Sequence, residues 1–417
     1  MQQKDNQLEK LTAHLFRENA GKMAAVLSRR FGLEQLDTIL DCIQDTFEAA
    51  LTRWRYGNVP DNPAAWLMTV SRNKLINALK RNARMNLEET ITTQETTTQP
   101  DFVIDEQHIL DSQLRLLLAC CQPVISEKNQ IILTLHILCG FGLPEIANAL
   151  RMQQETVKKS LTRSKALLRQ QPLQQLTQAS PIDGDRLPLV LTILYLLFNE
   201  GYKTTRKAKG IDPDLCYEAI RLTRIVFDTV TINREQTAAL LALQFLTLSR
   251  FPARLTDAGE WLSLEEQNRD LWDQRMITEG FFYLRKATQG KQISRYHFEA
   301  LISSIHCCAK MFGDTDWPSI VMLYRQLEQL HPEDASLTLN RIIAGSYYSD
   351  PLDCLHELNG TASLHQIPGF LLEAARGHLL QRAGLYADAA NAYLLAKSLA
   401  QSPVDQCFLE KKIKACG

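Results

Sequence analysis

The chain has 417 residues, which at roughly 100–200 residues per domain predicts two to four domains. Hydrophobic residues make up 45% and charged residues 22%, with 46 Lys+Arg against 47 Asp+Glu, a formal net charge of −1. That balance excludes a uniformly basic nucleic-acid coat and an acidic disordered chain, but not a protein whose opposite charges are sorted into different segments. The longest apolar stretch, Leu187 to Phe198, falls short of the ~18–20 residues a bilayer requires. MQQKDNQLEK has no apolar signal segment, and the ten Cys form no C-x-x-C. These features predict a cytoplasmic chain with reduced thiols, no membrane association, no metal site and no cofactor.

Helical spacing runs from end to end. Leu36, Leu40, Ile43, Phe47 and Leu51 fall on one face of an α-helix, and no sustained β alternation is found. The predicted fold class is all-α. Two stretches break the pattern. Residues 86–110 are rich in Thr, Gln and acids without Lys or Arg, and residues 171–186 are rich in Gln, Pro, Ser and Gly. Both read as linkers. They leave two small helical domains, 1–85 and 111–170, and a larger helical part, 187–417.

In chain order, the first candidate surface is an acidic stripe. Glu34, Asp37, Asp41, Asp45 and Glu48 share one helix face with no Lys among them. Alone they repel one another, which suits a basic partner surface. The second is 54–84. A loop rich in turn formers (Asn58, Asp61, Asn62) lies between Trp54 and Trp66, ahead of a helix that places Asn73, Asn77, Lys80 and Arg84 on one face beside Arg81. Rings that stack a base, amides that read its edge and cations that hold phosphate are what unpaired DNA requires. At least one of the two Trp is expected in the core.

The third surface is 126–169. Ser126 is placed to cap a helix that ends at Gly140–Gly142. A short helix with Pro144 in its first turn follows, then a tight turn at 151–153 and a second helix. Ile146, Leu150, Met152, Val157 and Leu161 fit the small core of a helix-turn-helix. Glu155, Thr156, Lys158, Lys159, Thr162, Arg163 and Lys165 face outward, where they could read base edges and grip phosphate. Arg151 stands where such turns often have Gly.

Two of these stretches carry a family resemblance. CIQDTFEAAL with PDNPAAWLMTVSRNKLINALKR resembles region 2 of bacterial sigma factors, and PEIANALRMQQETVKKSLTRSKALLR resembles region 4.2. Both blocks joined by a linker resemble the extracytoplasmic-function (group 4) sigma factors. LPLVLTILYLLFNEGYKTT and GLYADAANAYLLAKSLA resemble the tetratricopeptide-like C-terminal extension found in one subgroup. In that extension small Ala residues would let helices stack, with Tyr386 and Tyr393 filling between them.

The resemblance implies that Asp37, Asp41, Gln44, Asp45, Phe47 and Glu48 dock on the β′ clamp helices of core RNA polymerase. The β flap is a second implied contact. Asn58, Asp61, Asn62, Trp66, Asn73, Asn77, Lys80, Arg81 and Arg84 would capture melted −10 promoter DNA. Glu155, Thr156, Lys158, Lys159, Thr162, Arg163 and Lys165 would read the −35 element as duplex. The C-terminal part would bind a regulatory protein or gate the activity. The rival reading is a helix-turn-helix regulator with a sensing domain that never joins polymerase. An enzyme is not expected: residues 187–417 hold no nucleophile–base pair, phosphate loop or metal spacing. Asn199-Glu200-Gly201-Tyr202 has no assigned chemistry, a buried or capping Glu being the expectation.

Overall fold

The computed structural model describes residues 2–54, 59–86, 106–122, 124–150, 152–170, 186–203, 211, 213–256 and 260–417. The protein is all-α, with no strand among the described residues beyond one bridge between Leu255 and Trp261. None of its described helices is long and apolar enough to cross a membrane. The chain forms two compact units. The first comprises Met1–Gly201 and Tyr217–Ile232, the second Tyr202–Cys216 and Asn233–Gly417.

The first unit begins with α1 (Gln2–Phe31), which stops at Gly32 in the left-handed region (φ 91°). Gly accepts that conformation without a Cβ clash. A 3-10 turn, Leu33–Gln35, leads into α2 (Leu36–Trp54), whose buried residues Leu36, Ile39, Ile43, Phe47, Ala50 and Trp54 form one stripe. α2 packs on α1 and on α3 (Pro63–Asn86). α4 (Glu106–Cys120) starts inside the predicted linker, whose residues 87–105 lie outside the described ones. The predicted linker at 171–185 lies outside them too.

α4 lies along α1, and the Arg29 guanidinium donates to Ser112 Oγ at 3.3 Å. α5 (Glu127–Ile137), α6 (Leu143–Ala149) and α7 (Gln154–Arg169) follow. Ser126 stands at the N-cap of α5, but its side chain makes no cap bond. α1 meets the end of α5 with almost no clearance. A Cβ on Gly21 would lie 1.8 Å from the Leu138 carbonyl oxygen, so only Gly permits this approach.

α8 (Leu187–Tyr202) is apolar nearly all round, which is the pattern of a buried helix. Glu200 within it is buried, as expected of a carboxylate at that helix end. α9 (Pro213–Thr229) returns part of the chain to the first unit, where Arg221 donates to Gln113 Oε1 of α4 at 2.6 Å and also binds Glu218.

The second unit is built around α10 (Arg234–Leu248), buried almost continuously from Thr237 to Leu248. It packs on α11 (Gln274–Ala287) and α12 (Arg295–Cys308), with Gly280 of α11 fitted against Leu246. Next come α13 (Trp317–Leu330), α14 (Ala335–Gly345), α15 (Pro351–Gly360), α16 (Gly369–Arg382), α17 (Tyr386–Leu399) and α18 (Pro403–Lys414), each packed on its successor from α13 to α14 through α17 to α18.

Gly384 makes the α16–α17 turn at φ 78°. Ala389, Tyr393 and Ala396 are buried, and the Tyr393 hydroxyl donates to Gln381 Oε1 at 3.1 Å. Tyr386 corrects the expectation that both rings fill the interior: its ring is exposed, because it opens the helix on the outer side.

The cysteines are free thiols. Cys42, Cys120, Cys121, Cys139, Cys216 and Cys354 are buried, while Cys308 and Cys407 are exposed. Burial pushes the Cys121 thiol up to about 12 and Cys120 higher still, so both are inert.

Candidate nucleic-acid interface

The inward stripe of α2 dictates what the helix shows to solvent. Asp41, Gln44, Asp45 and Glu48 are exposed and Asp37 is half-buried. Gln44 Nε2 donates to Glu48 Oε1 at 3.3 Å, and Lys74 of α3 donates to the Asp45 backbone oxygen at 2.6 Å. Phe47 departs from the expected docking set. It is 5% exposed and meets Phe16 edge-on at 4.9 Å, so it supports the stripe from beneath and offers a partner nothing.

At the start of α3, the exposed Asn62 accepts the Ala65 N–H at its side-chain oxygen (3.0 Å), an N-cap bond that ties up this amide's acceptor. Asp61 is exposed beside it. Trp54 is buried at 2% and Trp66 half-buried against it, their ring centroids 5.3 Å apart. One Trp is therefore core, as anticipated, and only the other keeps a reachable edge. Leu67, Ser71 and Leu75 point inward, which leaves Asn73, Asn77, Lys80 and Arg81 exposed along the helix. Asn58 and the Arg84 side chain lie outside the described residues.

α6 and α7 are joined by a tight turn in which the Met152 N–H donates to the Ala147 oxygen at 2.7 Å. Ile146, Val157, Leu161 and Leu168 are buried between them and α5. Glu155, Thr156, Lys158, Lys159, Thr162 and Arg163 are exposed on the other face. Lys165 is not free. It lies 3.6 Å from Asp37 Oδ1, and Arg169 binds Asp37 Oδ2 at 2.8 Å.

The acidic stripe and the basic helix therefore meet within one unit, around a recess of about 310 Å³ lined by Asp37, His136, Lys158, Thr162, Lys165 and Arg169. His136 Nδ1 is 2.9 Å from the Phe141 oxygen and donates to it. Burial first, and Lys165 second, hold its pKa below the usual histidine range, so the ring stays neutral there. Arg169 is not among the residues that the sequence singles out. Nothing local distinguishes its role, since its partner is 132 positions away.

Two family models match separate parts of the chain. A family model described as sigma-70 region 2 matches residues 15–85. A second, described as a family of unknown function (DUF6596), matches residues 186–288. An uncharacterized protein of Rhizobium meliloti (strain 1021) is 32% identical over 393 residues, which cover 91% of this chain and 90% of that one. No solved structure matches.

Proposed function

Because residues 15–85 match sigma-70 region 2, we propose that this chain is a transcription initiation factor of the sigma-70 family and not an enzyme, and more closely an alternative sigma factor of the extracytoplasmic-function type with a tetratricopeptide-like extension. The carrying observation is the region 2 match over 15–85, within which α2 presents exposed acids and α3 exposed amides and cations. In this reading Asp37, Asp41, Gln44, Asp45 and Glu48 engage the β′ clamp helices. Asp61, Trp66, Asn73, Asn77, Lys80 and Arg81 bind the melted −10 strand, and Asn62 orders the loop before them. α7 reads the −35 duplex through Lys158, Lys159, Thr162 and Arg163. The rival, a regulator that never joins polymerase, leaves the region 2 match without a purpose.

The contact of Asp37 with Lys165 and Arg169 supports a further part of this reading. A sigma factor must hold its −10 and −35 modules apart on one promoter. Here the helix assigned to −35 DNA leans on the stripe assigned to polymerase. We read this as the resting form of the free chain, which polymerase opens by competing for Asp37. The C-terminal unit would set how readily that opening occurs.

The test is transcription from the chain's own promoters by core polymerase, with and without the purified protein. Charge reversal at Asp41 and Asp45 should abolish both the transcript and co-purification with polymerase. Promoter-dependent transcription that is independent of the protein, or unaffected by both reversals, would overturn the assignment.

A further inference from the structure

The second unit holds a half-open recess of about 350 Å³, within the range of small-molecule sites. It has no counterpart in the reading above. Its walls are aromatic: Tyr202, Trp261, Phe370 and Phe408 line it, the first two from the segment around the DUF6596 match and the others from α16 and α18. Two arginines, Arg250 and Arg254, also line it.

Arg254 is the unusual member. Its residue is only 7% exposed, and its guanidinium is clamped between two rings, 3.5 Å from the Tyr202 centroid and 4.4 Å from that of Trp261. The clamp is built locally. Leu262 N–H donates to the Arg254 oxygen at 3.0 Å, and the Leu255–Trp261 bridge folds Trp261 back over the arginine. No carboxylate among the described residues pairs with Arg254 or with Arg250. Nε of Arg254, and both Nε and Nη2 of Arg250, are buried without a hydrogen-bond partner. Among the described residues the one acid lining the recess, Asp405, is engaged by Lys203 at 3.1 Å. Burial and the neighbouring Arg250 hold the Arg254 pKa below its ordinary value.

Buried cations are ordinarily paired, because an uncompensated charge in a low-dielectric site is costly. Here the buried Arg254 lies beside the half-buried Arg250 in a cavity lined with rings. Stacking against Tyr202 and Trp261 offsets part of the cost but supplies no opposite charge. The missing component is an anion, and the aromatic lining gives its shape. We propose that this recess is a binding site for a small organic carboxylate with a flat, apolar body, the carboxylate lying against Arg250 and Arg254 and the body between the aromatic walls.

Calorimetric titration of the full-length protein tests this with three probes: 2-naphthoate, the neutral 2-naphthalenemethanol and inorganic phosphate. Naphthoate should bind saturably at one site, and at least about tenfold tighter than the alcohol, since a charge-assisted bond adds to the shared ring contacts. Phosphate, which has charge without a body, should be weaker than naphthoate. Arg254→Gln should erase the preference for naphthoate over the alcohol, and Arg254→Lys should retain part of it. Equal affinity for naphthoate and alcohol on the unaltered protein would overturn the proposal without reliance on any variant. Absence of naphthoate binding at millimolar concentration would do the same, as would tighter binding of phosphate.

Discussion

Gly21→Ala separates the stability of α1 from the stability of its docking on α5. Within the helix the change is favourable, because Ala is preferred to Gly by roughly 0.8–1 kcal/mol. At the α1–α5 crossing it is not. The new methyl would lie 1.8 Å from the Leu138 carbonyl oxygen, and backbone cannot swing aside as a flexible side chain can. Restoring a normal contact requires the helices to retreat by about 1.5 Å, and overpacking of this kind costs about 1–3 kcal/mol. The loss falls on the crossing that holds α5, and with it α6 and α7, against α1. At about 1.4 kcal/mol per tenfold, the opened population should rise roughly 5- to 140-fold.

If only the opened form joins polymerase, its apparent affinity for core polymerase rises in step until opening is no longer limiting. Equilibrium binding of the purified variant to core polymerase measures this. Amide exchange across 135–141 reports the loosening independently, and helical circular dichroism should be unchanged. Faster exchange in that segment without tighter polymerase binding would refute the claim that the α1–α5 contact restrains the free chain. Unchanged exchange would refute the steric argument itself.

Other outcomes follow from the same geometry. A double-mutant cycle with Asp37→Asn and Arg169→Gln should give a coupling of only about 0.2–1 kcal/mol, falling as salt is raised, because both partners are substantially exposed. Reversal of Asp41 and Asp45 to Lys should weaken polymerase binding at least about tenfold while leaving the melting temperature within a few degrees, since both side chains face solvent. Burial holds His306 at about 2 and His378 at about 4, so both are neutral in the folded chain. The unfolded chain takes up their protons near pH 6.5, so stability is full above that value and falls as pH drops below it, at up to about 1.4 kcal/mol per pH unit for each. Melting temperatures taken from pH 7.5 to 5 should decline, and His306→Phe should flatten the slope. A slope unchanged in that variant would remove His306 from the account.

The helices themselves were legible from periodicity. α6 and α7 fall where Pro144 and the turn at 151–153 place them; of the inward set, Ile146, Val157 and Leu161 are buried, while Leu150 and Met152 are half-buried. The acidic stripe was legible because its inward complement is apolar but for Thr46, whose hydroxyl donates to the Cys42 oxygen within the helix. Phe47 misled because a large ring next to a charged face reads equally well as an anchor or as core, and only its contact with Phe16 decides between them. The pairing of Asp37 with Arg169 and the recess around Arg254 left no mark on local sequence. Each joins segments more than a hundred residues apart, and a lone Arg in a turn carries no signal of what closes over it. Asn199-Glu200-Gly201-Tyr202 stood out without an assigned role. Its Tyr202 ring proves to be one face of the arginine clamp.

The threading of the chain also bears on its genetics. The polypeptide passes from the first unit to the second after Gly201, back after Cys216 and out again after Ile232, and Arg221 from the returning stretch is tied to Gln113. A premature stop codon anywhere between 172 and 216 would therefore remove α9 from the first unit as well as deleting the second. Such an allele would leave an incomplete N-terminal core and not a minimal, unregulated factor. Nonsense mutations here are expected to behave as simple losses of function, and constitutive alleles should be found among missense changes at the α1–α5 crossing.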